Sequence, residues 1–148
     1  MFKGIIFITA ESFSQYAIDK DLTPTLWKMY NEGFQFKNYY SPAWGVSTTD
    51  GEYANLTGLI PKSGVWSFSK SAENNVSFPF TLGEQSRKLG CKTVNAYHNH
   101  TYDYYDRDKY LTNIGYDYSA IGKGLDLGEN VWPNSDLKMM QKTVDDYI

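Results

Sequence analysis

Cysteine is almost missing from this sequence, histidine is nearly as scarce, and no apolar run is long. With Cys91 alone there is no internal disulfide and no cysteine-based zinc site. Cys91 follows Gly90 at the head of an apolar stretch and reads as a small buried hydrophobe. The lack of disulfides does not fix the compartment. His98 and His100 are the only histidines, which confines imidazole chemistry to one short stretch. The longest apolar run, "GIIFITA", is far too short to cross a bilayer. Met1-Phe2-Lys3 leads straight into it without the cleavage region of a signal peptide. Charge of one sign is lacking too: a net charge of −3 gives no reason to expect nucleic acid or an anionic membrane surface as partner.

Aromatic residues, by contrast, are abundant, at 17% of the chain with 13 tyrosines. A ring that is apolar on its faces and polar at its tip suits the rim of a core. It equally suits a cleft for a polar ligand such as a sugar or a lipid head group. A length of 148 residues corresponds to one domain or part of one.

Along the chain, strand and helix patterns alternate. "GIIFIT", Gly4 to Thr9, is a continuous apolar run of the kind buried on both faces of a parallel sheet. "LTPTLWKMYNEG" reads as a helix with Thr23 as cap, Pro24 at the first position and Gly33 as stop. "FQFKNYY" alternates like a second strand. "TDGEYANLTGLIP" looks helical, with Tyr53, Leu56 and Ile60 inward and Pro61 closing it. Lys62 to Ser77 is polar and reads as a surface excursion, although it contains Val65, Trp66 and Phe68. "PFTLGEQSRKLG" is a well-marked helix, "CKTVNAY" a strand and "HNHTYDYYD" a loop. "RDKYLTNIG" reads as a short helix and "YDYSAI" as a strand. "NSDLKMMQKTVDDYI" is a closing helix capped by Ser135, with Leu137, Met140, Val144 and Tyr147 on one face. The alternation predicts an α/β fold with a mostly parallel sheet flanked by helices.

Ligands collect at the carboxyl ends of strands in such sheets. Polar clusters fall at those ends here: Glu11-Ser12, Ser47-Thr48-Thr49-Asp50 and His98-Asn99-His100. The hydroxyl run has two readings. Thr49 can cap the helix with Glu52 as its reciprocal partner, which involves no chemistry. Alternatively, the helix start attracts an anionic phosphate or sulfate, and a hydroxyl there attacks it if a metal lowers its pKa. Glu11 is either a hard ligand for Mg²⁺ or Mn²⁺ or a loop carboxylate paired with a neighbour. The His-X-His pair is open to metal binding, to substrate hydrogen bonding or to a structural role. Within "YDYYDRD", Arg107 can grip a phosphate with its planar fork. Asp103, Asp106 and Asp108 can instead neutralise it.

Taken in order, "ESF", "DLTPTLWKMYNEGFQFKNYYSP", "TTDGEYANLTGL" and "AYHNHTYDYYDRDKYLTNIGYD" resemble one family. It is the lipoteichoic acid synthase and phosphoglycerol transferase family, within the sulfatase and alkaline phosphatase superfamily. That family shows "DLTPNLNKL…G…FKNFY", "TSDGEF" and "FHG…WNRD…LGYD" blocks. The resemblance covers nearly the whole chain and rests on all the blocks together. It implies that Glu11 and Thr48 are ligands of a Mn²⁺ or Mg²⁺ ion, and that Thr48 is the nucleophile. It also implies that His98, His100, Tyr105 and Arg107 line the pocket for a phosphoglycerol group.

By the same resemblance residues 1–148 are the N-terminal portion of a single sulfatase-like catalytic domain. The C-terminal portion, with an Asp-His pair completing the metal site, would lie outside them, and the fragment alone would be inactive. The parent would work on the extracellular face of a bacterial membrane, on a lipid-linked phosphoglycerol substrate. Membrane association would come only through segments outside this chain. Departures from the pattern fall at Ser47, where a basic residue is common, at His100 in place of an aspartate, and at Tyr105 in place of a tryptophan. They leave transfer, hydrolysis by a related sulfatase or phosphodiesterase, and a non-catalytic binding module as alternatives. A formylglycine sulfatase does not fit, since no Cys/Ser-X-Pro-X-Arg motif is present.

Overall fold

A computed structural model describes residues 4–40, 48–62, 67–128 and 132–146. The chain divides into two compact units, Phe7–Pro42 on one hand and Ala43–Ile148 with Met1–Ile6 on the other.

Among the described residues the smaller unit contains a short 3-10 turn (Gln15–Ala17) and one α-helix, α1 (Pro24–Glu32). Pro24 occupies its first turn and Gly33 its C-cap, as the sequence predicts. Thr23 is the N-cap residue, but its hydroxyl does not cap α1. It lies 2.7 Å from the Ala17 carbonyl and accepts a hydrogen bond from Asp19 N–H at 2.8 Å, tying down the preceding loop. Neither flanking segment forms the expected strand. Residues 4–9 and 34–40 are irregular, and Ile5, Ile6, Phe7, Ile8, Phe34 and Phe36 are exposed. An apolar run records a capacity for burial, whereas a strand also needs neighbours that satisfy its N–H and C=O groups. Among the described residues neither segment is paired in the sheet.

The larger unit is an α/β structure. Helices α2 (Thr48–Thr57), α3 (Ser67–Glu73) and α4 (Leu82–Lys88) precede a βαβ unit. That unit comprises β1 (Asn95–Thr101), α5 (Arg107–Asn113) and β2 (Asp117–Ile121). Strands β1 and β2 are parallel, with Asn95 opposite Asp117 and His98 opposite Ala120, and the register breaks between His98 and Thr101. A two-residue β3 (Gly124–Leu125) extends the sheet in the order β1-β2-β3. Helix α6 (Asp136–Thr143) packs against β1. Ser135 caps it as expected, accepting from Lys138 N–H at 3.2 Å. Among the described residues no helix is long and apolar enough to cross a membrane.

Two glycines set the close contacts. After α4, Gly90 takes φ +85°. Cys91 N–H then reaches the Ser86 carbonyl and Gly90 N–H reaches Arg87, a Schellman closure that turns the chain out of the helix. Cys91 sits on this turn and is exposed, contrary to the buried position its apolar neighbours predict. At Gly83 a Cβ would lie 2.5 Å from the Ile114 carbonyl, so only glycine lets α4 approach the end of α5 this closely.

The core is aromatic. Phe68, Tyr110, Leu111, Ile114, Tyr118 and Ala120 are buried together, with Tyr53, Leu56 and Phe78 packed around them. Phe68 and Tyr110 stack at 4.2 Å with their planes 5° apart. The segment that reads as a polar excursion therefore supplies a central core residue. Its serines and lysine dilute the apolar signal around Phe68, and Val65 and Trp66 lie outside the described residues. Helix α2 ends at Thr57, with Gly58 at φ +71°, so Ile60 lies past it and is exposed. Of the apolar face expected for the closing helix, Leu137, Met140 and Val144 are exposed, and Thr143 is the buried residue of α6; Tyr147 lies outside the described residues.

Replacing Phe68 with alanine removes a fully buried ring stacked on Tyr110, and is expected to cost about 3–5 kcal/mol. Urea denaturation followed by far-UV circular dichroism measures it. A loss below about 1 kcal/mol would show that this packing is not formed in solution.

Candidate functional site

The site builds outward from a buried ion pair. Arg107, the first residue of α5, is 2% exposed, and its partner Glu52 on α2 is 15% exposed. Arg107 Nε donates to Glu52 at 3.1 Å and Nη2 at 2.5 Å, a two-point grip. Its Nη1 donates to the Tyr104 carbonyl at 3.3 Å, and the Tyr110 hydroxyl donates to the other Glu52 oxygen. Burial works against the Arg107 charge, but Glu52 outweighs it and holds the guanidinium pKa above its ordinary value. Burial first, then the Glu52 charge, push the Tyr110 hydroxyl upward.

Two sequence expectations change here. Glu52 is not the reciprocal partner of a Thr49 cap, because its carboxylate is committed to Arg107 and Tyr110. Nor do Asp103, Asp106 and Asp108 neutralise Arg107; Asp106 pairs with Lys109 at 2.9 Å. The described donors of Arg107 face protein, not solvent. Sequence reasoning missed Glu52 as its partner and Tyr110 as a donor to Glu52. One signal was available: residues 107 and 110 fall on one face of a helix.

Above this pair lies a cluster of rings. His98, Asn99 and His100 belong to β1 and not to a loop, so the two imidazoles project to the same side, 6.3 Å apart. The His100 ring stacks on Tyr104 at 3.6 Å, and Trp132 meets it edge-on at 4.8 Å. Tyr105 lies 4.4 Å from Tyr104, and the Arg107 guanidinium sits under both, 5.6 and 5.7 Å from their ring centres. Tyr105 and Asp106 both adopt left-handed backbone, φ +58° and +57°. That conformation is costly for two consecutive non-glycine residues and is often found at functional sites.

The surroundings of both imidazoles favour the neutral form. Burial, then the Arg107 charge and His100, bring the pKa of His98 down to about 3. Burial and Arg107 lower that of His100 as well. His98 Nδ1 accepts from His100 N–H at 3.1 Å, and His100 Nδ1 accepts from Thr101 N–H at 2.7 Å. The proton of each neutral ring then resides on Nε2, which offers a donor to a ligand oxygen and no lone pair to a metal.

The start of α2 is chemically different. Thr48 opens the helix and is half-buried. It stands four residues before Glu52, so the two share a helix face, and the Glu52–Arg107 pair joins that helix to the ring cluster. Thr49 and Asp50 are each 1% exposed, and Thr49 Oγ1 and both Asp50 carboxylate oxygens lack a hydrogen-bond partner. Burial raises the Asp50 pKa. Orphaned hard-oxygen donors of this kind fit a Mg²⁺ or Mn²⁺ ion. Among the described residues no group of three or more His, Cys, Asp or Glu side chains is gathered as a metal site.

Glu11 lies in the smaller unit, in a turn before Ser12, whose φ is +55°. Residues 4–9 and 34–40 form no strand, and of the expected strand-end clusters that of His98 and His100 lies on one, β1. Ser47 lies outside the described residues.

In comparisons with protein families, curated proteins and solved structures, nothing matches the chain.

Glu52→Ala strands the Arg107 charge and is expected to cost about 3–5 kcal/mol by urea denaturation. A paired Glu52→Leu, Arg107→Met variant should lose less; equal losses would show that the pair does not act as a unit. A pH dependence follows from His98. The unfolded chain takes up this proton near 6.5, while the folded chain resists until about 3. Below pH 6.5 the unfolded state binds more protons, so stability declines as pH falls across that window. Between pH 7.5 and 5 the His98→Gln variant should show a shallower decline of Tm than wild type. Parallel slopes would contradict the neutral assignment.

Proposed function

We propose that the chain forms part of a metal-dependent transferase of the sulfatase and alkaline phosphatase superfamily. It moves a phosphoglycerol group from a lipid head group through a phosphothreonine at Thr48. In this reading the remaining metal ligands and any membrane anchor lie outside these residues, and the reaction serves polymer synthesis or modification at the outer face of a bacterial membrane.

The observation that carries the reading is the start of α2. Thr48 heads a helix whose positive end favours an anionic phosphoryl group, and the neighbouring Thr49 and Asp50 oxygens are buried without a partner. Thr48 would be a ligand of the divalent ion, which when bound would supply charge neutralisation at phosphorus and an acidified threonine hydroxyl. The Thr48 oxygen forms a bond to phosphorus. The phosphorus–oxygen bond to the lipid breaks, and diacylglycerol leaves with a proton. An acceptor hydroxyl then bonds to phosphorus and Thr48 is released. His98 and His100 Nε2–H groups donate to substrate oxygens, Tyr105 bounds the pocket, and Arg107 positions Tyr104 and Tyr105 from beneath.

A non-catalytic binding module is the second reading, favoured because Arg107 is buried on Glu52. Labelled phosphatidylglycerol and Mn²⁺, given to the full-length protein, test both. Transfer predicts diacylglycerol release and a phosphoglycerol adduct on Thr48 by mass spectrometry, with turnover of Thr48→Ala lower by about 10³-fold or more. Turnover unaffected by Thr48→Ala would overturn the nucleophile assignment. Free glycerol phosphate without a polymer would favour a hydrolase.

A further inference from the structure

We infer that Asp50 and Thr49 are themselves ligands of a hard divalent cation at the start of α2. The inference rests on the reading of that helix start as a metal-assisted phosphoryl-transfer site, and adds ligands that the family resemblance does not assign.

Native interiors rarely leave buried polar side chains unpartnered. Here three oxygens on two adjacent residues are in that state: Thr49 Oγ1, Asp50 Oδ1 and Asp50 Oδ2. Both residues are 1% exposed and so are shielded from bulk solvent. A carboxylate stripped of water and of donors must be matched by positive charge or give up its own. A small divalent cation satisfies the carboxylate and the hydroxyl together, and accepts all-oxygen ligation. His98 and His100 present no lone pair of the Nδ1 kind, because backbone N–H groups occupy both. The donor chemistry therefore points to the Mg²⁺ and Mn²⁺ class and not to zinc.

Calorimetric titration of the full-length protein with Mn²⁺ tests this, alongside Asp50→Asn, Thr49→Val and Glu11→Gln. The Kd should rise about 100-fold or more for Asp50→Asn and about tenfold for Thr49→Val, the scale of loss seen when groups around a metal are removed. Mn²⁺ should also raise the Tm of wild type. Asp50→Asn should keep its metal-free Tm and lose that rise. If Asp50→Asn does not fold, Thr49→Val carries the test alone. Unchanged Mn²⁺ affinity in the folded variants, with Glu11→Gln weakened, would overturn this inference and leave the wider reading standing. A wild-type protein that binds no Mn²⁺ would overturn both.

Discussion

The organisation of the larger unit depends on burying one arginine. A guanidinium at 2% exposure is tolerated only when its donors are met, and Glu52 meets two of them from another helix. Because Glu52 belongs to α2 and Arg107 to α5, the pair fixes the angle and register between these elements. Tyr110 carries the constraint inward: its hydroxyl donates to Glu52 while its ring lies flat on Phe68. Polar pairing and core packing therefore share residues, and disturbing one disturbs the other.

The same arginine also organises the surface above it. Its third donor reaches the Tyr104 carbonyl, just before the left-handed Tyr105 and Asp106. Those two conformations would not persist without surrounding contacts. With them in place, Tyr104 stacks against His100, and the positive charge beneath helps keep both imidazoles uncharged. The outcome is a patch of neutral donors and ring faces, suited to uncharged or weakly polar parts of a ligand. At the start of α2, buried carboxylate and hydroxyl oxygens are suited to positive charge. The proposed reaction, at a phosphoryl group attached to a polyol, calls for both kinds of environment, and α2 carries Thr48 and Glu52.

Much of the α/β portion could be read from local pattern. Proline at the first turn of α1, serine before α6 and glycine after α4 mark helix limits by backbone chemistry that acts within a few residues. The short helix at Arg107 and the strand at Asp117 follow from the same kind of signal. Expectations failed where the outcome depends on a distant partner. "GIIFIT" and "FQFKNYY" have the composition of strands but do not join the sheet among the described residues. Phe68 is a core residue because Tyr110 comes to it, and nothing within the serine-rich segment around it announces that.

For the candidate site the division is similar. The sequence alone determined which residue types are available: a hydroxyl run before a helix, two histidines one residue apart, and an arginine among tyrosines. Tertiary structure decided their states. It made the histidines neutral, gave Glu52 to Arg107 instead of to a helix cap, and left Asp50 and Thr49 buried without partners. The physical reason is that charge, protonation and hydrogen-bond saturation depend on desolvation and on groups dozens of residues away. Helix limits depend on neighbours only a few positions along the chain.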